Sequence, residues 1–308
     1  MMYVYIAFIV FCAWHNSFSI GEVDAESDVV EFRVNGEAIT RGFIEKGLIE
    51  ASQCAPEVCP TDKSQGWKIR RERLIKLIPL RQFLDRENIK IDDAVIEKQI
   101  EEMKKQPNPL GRHPPRRLEQ VMVRECISWD DLKLMIRVEL GMTQWAEREW
   151  KKKWSDNSRW IEYCTNRKDE FDSKYGKFQI YNFSIFDWPA GAKTEEEAME
   201  KLKQKAQNVK EALDAGRKVE ESGVVSIIPY DSFGDSHTET LKKLQVNGTA
   251  EVLQMRFGWM VVRREKVTPA EISEVLKKEF MEQIRREAEE RIARETKVEK
   301  VAWTDLES

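Results

Sequence analysis

Residues 34–40 read Val34-Asn35-Gly36-Glu37-Ala38-Ile39-Thr40, and how this stretch is taken decides how the chain begins to fold. Upstream, Val29 to Val34 alternates side-chain character as a strand does. Asn35-Gly36 supplies the positive-φ pair that a tight hairpin turn demands. Glu37-Ala38-Ile39 then makes a return strand, and Thr40 offers a hydroxyl to the first free N–H groups of a following helix. The chain therefore enters its fold as a β-hairpin feeding directly into a helix.

Downstream the pattern is helical for a long way. Gln53 to Gly66, with Cys54, Cys59, Pro56 and Pro60, reads as a loop. From Trp67 a helix carries Leu74, Ile75 and Ile78, and then Pro79, which removes a backbone donor and is expected to kink it. Asp92 or Asp93 caps a further helix with Ile96, Ile100 and Met103 on one face. Gln106 to Pro115 is a break, and Arg116 to Glu125 a short helix. Ser128-Trp129-Asp130-Asp131 fits a capping box. The helix it opens shows Leu132, Met135, Ile136 and Leu140 as a core-facing stripe and runs on through Trp145 and Trp150 to Trp154. Ser155 to Phe171 is a linker helix.

The second half changes character. Phe178 to Phe186 is strand-like, Thr194-Glu195-Glu196-Glu197 caps a helix reaching Ala215-Gly216, and Val224 to Ile228 and Trp259 to Arg263 supply further strands. Thr268-Pro269-Ala270-Glu271 starts a last helix with a capping Thr, a proline at the first helical position and an acid three residues on. That helix, carrying Ile272, Leu276, Phe280, Ile284, Ala288 and Ile292, is too long for the small segment before it. It is expected to return to the N-terminal body, where Val298 to Trp303 can add a closing strand.

At 308 residues the chain accommodates two domains, and 34% charged against 41% hydrophobic residues marks a helix-rich globular protein. Its 51 basic and 55 acidic side chains leave a formal net charge of −4, so no nucleic-acid partner is expected. Tyr3 to Trp14 is an apolar run of signal-peptide length, followed by Ser17-Phe18-Ser19, which places a cleavage after Ser19 and makes 1–19 a signal peptide. An uncleaved anchor is the alternative, since Met1-Met2-Tyr3 has no Lys or Arg. Cys12 lacks a lipoprotein context, and no lipid anchor is expected. Cleavage leaves Cys54, Cys59, Cys126 and Cys164, of which the close pair Cys54/Cys59 is the expected disulfide of an exported chain. With no second close cysteine pair and no histidine beside them, neither a metal site nor a cofactor is expected.

This order of parts resembles the exported foldases of the SurA and PrsA type. The hairpin Val34 to Thr40 is similar to that family's Val-Asn-Gly-x-x-Ile-Thr signature. Glu87-Asn88-Ile89-Lys90-Ile91-Asp92-Asp93 and Cys126-Ile127-Ser128-Trp129-Asp130-Asp131 resemble its helix starts, with Asn88 and Cys126 where the family has glycine. The resemblance implies an α+β fold. A discontinuous helical chaperone domain, 28–165 completed by 268–308, would carry an inserted parvulin-like domain over 166–267.

Parvulins carry one histidine on the first strand of that domain and another on the last. The resemblance puts these positions at Phe183 and Met260, a degenerate pocket with no catalytic residue. Its Gly-Gly-Asp-Leu-Gly loop is reduced to Asp231-Ser232-Phe233-Gly234. Of the chain's histidines, His15, His113 and His237, none falls on an expected strand. Trp145, Trp150 and Trp154 are either packing where the two domains meet or the wall of a client-binding cleft.

The function implied is that of an exported chaperone of the periplasm or cell envelope, binding unfolded or extended client polypeptides without isomerase catalysis. The alternatives are an active peptidyl-prolyl isomerase with an unorthodox site and a non-catalytic envelope scaffold.

Overall fold

The computed structural model describes residues 29–55, 62–105, 117–221 and 223–300. The expected signal peptide, the proline-rich break at 106–115 and Cys59 lie outside the described residues. In chain order the first elements are β1 (Val30–Val34), β2 (Glu37–Thr40), α1 (Arg41–Gln53), α2 (Lys63–Arg86), α3 (Asp93–Lys105), α4 (Leu118–Arg124) and α5 (Trp129–Lys153). Then follow α6 (Asn157–Asn166), α7 (Lys168–Lys174), β3 (Tyr175–Ser184), α8 (Glu195–Asp214) and β4 (Val224–Pro229). A 3-10 turn (Tyr230–Phe233), α9 (Asp235–Lys243), β5 (Glu251–Met255), β6 (Gly258–Glu265), α10 (Pro269–Glu295) and β7 (Val298–Lys300) complete the chain.

The elements form an α+β protein of two units, one made of residues up to 148 together with 283–308, the other of 149–282. The chain thus leaves the first unit within α5 and re-enters it within α10.

In the first unit the hairpin forms as its sequence dictates. Asn35 and Gly36 adopt φ of 49° and 85°, and the Thr40 hydroxyl accepts the Phe43 N–H at 3.2 Å. The sheet has the order β2-β1-β7. Asn35 does more than turn the chain, because its N–H donates to the Lys297 carbonyl at 2.9 Å and its side-chain oxygen accepts the Lys297 N–H at 2.8 Å. Phe32, Val34 and Ile39 pack on Ile44, Leu74 and Ile78 of α1 and α2. A second cluster joins Ile96 and Ile100 of α3 to Met122, Ile127, Leu132 and Ile136. Removing each such side chain from water is worth roughly 1.5–3 kcal/mol.

One helix expectation needs correction. α2 begins at Lys63, not Trp67, because the Asp62 carboxylate accepts the N–H groups of Ser64 and Gln65 and opens the helix early. Pro79 lies inside this helix, as its sequence position implies. The capping box at α5 is reciprocal: Ser128 N–H donates to Asp131 Oδ2 at 3.2 Å, and Asp131 N–H to Ser128 Oγ at 3.1 Å.

The second half of α10 lies in the first unit. Arg285 binds Glu139 of α5 through its two terminal guanidinium nitrogens, each at 2.5 Å, and Ala288 and Ile292 are buried. The first half belongs to the other unit, where Ile272 and Leu276 pack on Trp160, Cys164, Phe171 and Tyr175. Thr268 and Glu271 cap its start reciprocally.

The second unit is built on an antiparallel sheet of order β4-β3-β6-β5. One face carries Phe178, Ile180, Leu253, Met260 and Val262 and is covered by Tyr230, Leu241 and Leu244 of the 3-10 turn, α9 and its end. The other carries Tyr181, Phe183 and Val261 and is covered by Leu202, Ala206, Val209 and Leu213 of α8. β5 and α9 were not expected from the sequence.

Candidate functional site

β3 pairs with β6 so that Asn182 lies opposite Met260 and Phe183 opposite Trp259. Directly opposed residues share a face, and successive residues of a strand alternate between faces. Met260 therefore faces α9, in a cluster with Phe178, Ile180 and Leu253. Phe183 faces α8, in a cluster with Leu202 and Val209. The two residues expected to line one degenerate pocket stand on opposite sides of the sheet. A one-residue shift of register moves a side chain through the sheet, and the group that shares Met260's face is Asn182.

Asn182 is exposed, whereas Met260 beside it is 5% exposed. Leu253 of β5 pairs with Met260 on its far side. Half-buried Phe233 and Met255 pack against the same cluster, so the carboxamide of Asn182 rises at the margin of an apolar floor. The floor is held by local polar contacts. Thr238 Oγ1 donates to the Tyr230 carbonyl at 3.0 Å, fixing the 3-10 turn to α9. His237, on the first turn of α9, has Nε2 at 3.0 Å from the Gln254 carbonyl. Since a carbonyl only accepts, that nitrogen carries the proton.

At the end of the sheet where Asn182 lies, exposed aromatic rings gather. Phe186 and Trp188 follow β3 at 55% and 50% exposure, and the Phe186 ring is 5.5 Å from that of Phe257 in the β5–β6 turn. Ile185 N–H donates to the Phe257 carbonyl at 2.9 Å, tying the β5–β6 turn to the end of β3, and Trp188 Nε1 donates to the Ala192 carbonyl at 3.0 Å, which anchors that ring while it is exposed. The turn depends on Gly258, at φ +152°, because a Cβ there would lie 1.9 Å from the Phe183 carbonyl oxygen. The apolar and aromatic character of Ser184 to Trp188 was visible in the sequence, but without the register nothing tied it to Met260.

The three tryptophans divide between the two units. Trp145 is buried edge-on against Phe83, ring centroids 5.3 Å apart, in the first unit. Trp150 and Trp154 lie in the second, 5.4 and 5.1 Å from Trp160, with Tyr163 stacked on Trp160. Lys277 Nζ sits 4.2 Å over Trp150 and Lys153 Nζ 4.6 Å over Phe280. Trp160 itself donates to Ser273 Oγ at 2.8 Å. These rings are occupied by one another and by cations, as a structural cluster is.

The Cys54 thiol donates to the Glu50 carbonyl at 3.3 Å, and burial, with Glu119 and Glu50 nearby, pushes its pKa up. Burial does the same for Cys164. Neither is an activated nucleophile. Among the described residues no group of three or more His, Cys, Asp or Glu side chains is gathered as metal ligands are, and no helix is long and apolar enough to cross a membrane.

Residues 163–277 match the model of the PPIC-type PPIASE domain, so the parvulin-type domain implied by the resemblance is present. No curated protein matches the chain significantly. Among solved structures the chain is similar to PrsA from Bacillus subtilis, at 13% identity and a TM-score of 0.38 over 92% of this chain and 95% of that one. It is also similar to the foldase protein PrsA from Streptococcus pneumoniae, at 13% identity and TM-score 0.40 over 86% and 93%. A structure from work on two SurA-like chaperones of Campylobacter jejuni is 10% identical, with TM-score 0.30 over 89% and 99%.

Proposed function

We propose, for a chain whose residues 163–277 belong to the PPIC-type PPIase family, that the protein is an exported foldase-like chaperone. In this reading it holds extended polypeptide and does not accelerate prolyl isomerisation. One observation carries it: the face that should bear a pair of histidines bears Asn182 opposite Met260. The barrier to rotation about an amide is roughly 18–20 kcal/mol, and lowering it takes polar groups that bind the twisted state better than the planar one. A buried thioether is at best a weak acceptor, and a single exposed carboxamide is already bound by water. The apolar floor beside Asn182 and the exposed Phe186 and Trp188 rings suit the holding of a chain. What supports export to the periplasm or envelope is the apolar run Tyr3 to Trp14 followed by Ser17-Phe18-Ser19.

The exposed amide of Asn182 favours a second reading, an isomerase whose site uses that group alone. Two measurements on the mature protein decide between them: isomerisation of a proline tetrapeptide, and aggregation of a denatured model protein in its presence. The chaperone reading expects suppressed aggregation and no turnover. Turnover lost in Asn182→Ala would replace it with the second reading. Silence in both assays would leave the envelope scaffold.

A further inference from the structure

The sheet of the second unit has two edges, β4 and β5, and they differ. β5 is guarded by Glu251 and Gln254, with Arg256 just beyond. β4 reads Val224-Val225-Ser226-Ile227-Ile228-Pro229 and carries no charge. Its inner side pairs with β3 from Tyr175↔Pro229 to Ile180↔Val224, and among the described residues no other strand pairs with it. Its outer side therefore presents backbone N–H and C=O groups that no strand among the described residues satisfies. Val224 and Val225, pointing to opposite faces, are 62% and 52% exposed, so this end of the edge is open above and below the sheet, while Ile227 and Ile228 pack on the clusters at the other end. Soluble proteins blunt such edges with Lys, proline or a bulge. Here only Pro229, at one end, does so.

We propose that the outer edge of β4 takes up an extended, uncharged segment of a client polypeptide, which joins the sheet as an added strand. This rests on the chaperone reading above and adds to the apolar floor beside Asn182 a second place where a client chain is held. Recognition through main-chain groups is tolerant of sequence, which a holder of unfolded chains needs. The lack of charge on β4 matches a client stretch that is itself uncharged and free of proline. A second copy of this chain fits less well. From Val224 to Ile228 the edge is about 17 Å long and one strand spacing, about 5 Å, wide, so pairing along it covers on the order of 100 Å² a side, far below the roughly 1,200 Å² in total that a stable dimer buries.

The test uses the full mature chain and two fluorescent octapeptides of alternating Val and Thr, identical except that one is N-methylated at alternate amides along one edge. N-methylation removes the donors of that edge and leaves the side chains. The unmodified peptide is expected to bind, with the methylated one and the Val225→Lys variant each weaker by about tenfold or more. Equal binding of both peptides overturns the edge site while leaving the chaperone reading intact. So does binding of neither peptide where aggregation of a denatured protein is still suppressed. Failure of both binding and suppression removes the chaperone reading as well. A concentration-dependent dimer abolished by Val225→Lys would overturn the proposal in favour of self-pairing.

Discussion

Arg70 and Asp131 face one another in full burial, with Nε 2.9 Å from one carboxylate oxygen and Nη2 3.1 Å from the other. Asp131 is at the same time the capping residue at the start of α5. Arg70 Nη1 donates onward to the carbonyls of Phe43 and Ile44 in α1, at 2.7 and 2.6 Å. One guanidinium so ties α1, α2 and α5 together. Gly47 makes the space, since a Cβ there would come within 1.6 Å of Nη1.

Removing one partner of this pair strands a charge in the core. Arg70→Met is expected to cost about 3–5 kcal/mol, and a double change to Arg70→Met with Asp131→Leu to recover a good part of it. Gly47→Ala should cost at least about 1–3 kcal/mol by displacing the guanidinium. Urea unfolding of the three variants checks this; an Arg70→Met loss below about 1 kcal/mol would mean the pair contributes no more than a surface contact.

Asn88 and Cys126, where the resemblance implies glycine, both adopt positive φ, 53° and 51°. That is a conformation glycine takes at no steric cost. The left-handed region costs a residue with a Cβ roughly 1–2 kcal/mol, less for Asn. Asn88→Gly is expected to leave stability unchanged or raise it by a few tenths of a kcal/mol, and Asn88→Ala to lower it by about 1 kcal/mol. Equal midpoints for the Gly and Ala variants would contradict the argument.

Local signals were legible in the sequence because they are self-contained. The caps at Thr40, Ser128 and Thr268 each need only three or four neighbouring residues, and each formed as read. The register of β3 was not legible, for a physical reason. β3 is covered on both faces, so Phe178, Ile180, Tyr181 and Phe183 are all buried and the alternation that reports a strand's orientation is lost. Asn182, exposed between buried Tyr181 and Phe183, was the clue. α9 escaped because Asp235 to Lys243 holds Leu241 as its sole aliphatic side chain, and β5 because Glu251 to Met255 is short and mixed.

Two carboxylates give the second unit an acid-sensitive fold. Burial pushes the Asp214 carboxyl up, but the Lys210 ammonium at 2.5 Å and the Ala250 N–H at 2.7 Å outweigh it and hold it below the usual carboxylate range. Glu271 is lowered by Lys177 at 2.8 Å and by the Thr268 N–H. Unfolded, these groups titrate near about 3.9 and 4.3, so their stabilisation is complete above those values and lost as pH falls through the lower folded ones. Stability is expected to drop on acidification below about pH 4. Asp214→Asn should lower stability at neutral pH by about 1–2 kcal/mol and flatten the acid limb. Urea midpoints across that range test it; an unchanged slope in the variant would count against Asp214 as a source.

The last prediction turns on which residue of β3 faces Met260. If Asn182 does, Asn182→His puts an imidazole at an exposed position on the α9 side, and stability should move by no more than about 0.5 kcal/mol. Phe183→His instead buries a polar ring among Leu202, Val209 and Leu213 under α8, with an expected cost of roughly 3 kcal/mol from the lost apolar volume and the unpaired nitrogen. The same pair of variants bears on catalysis. With Met260→His added, only the Asn182→His background places two imidazoles on one face of the sheet, and any gain in isomerisation of a proline tetrapeptide is expected there alone. Thermal midpoints and turnover of the single and double variants read out both claims. A Phe183→His protein as stable as Asn182→His, or turnover appearing in the Phe183 background, would return the pocket to the other side of the sheet.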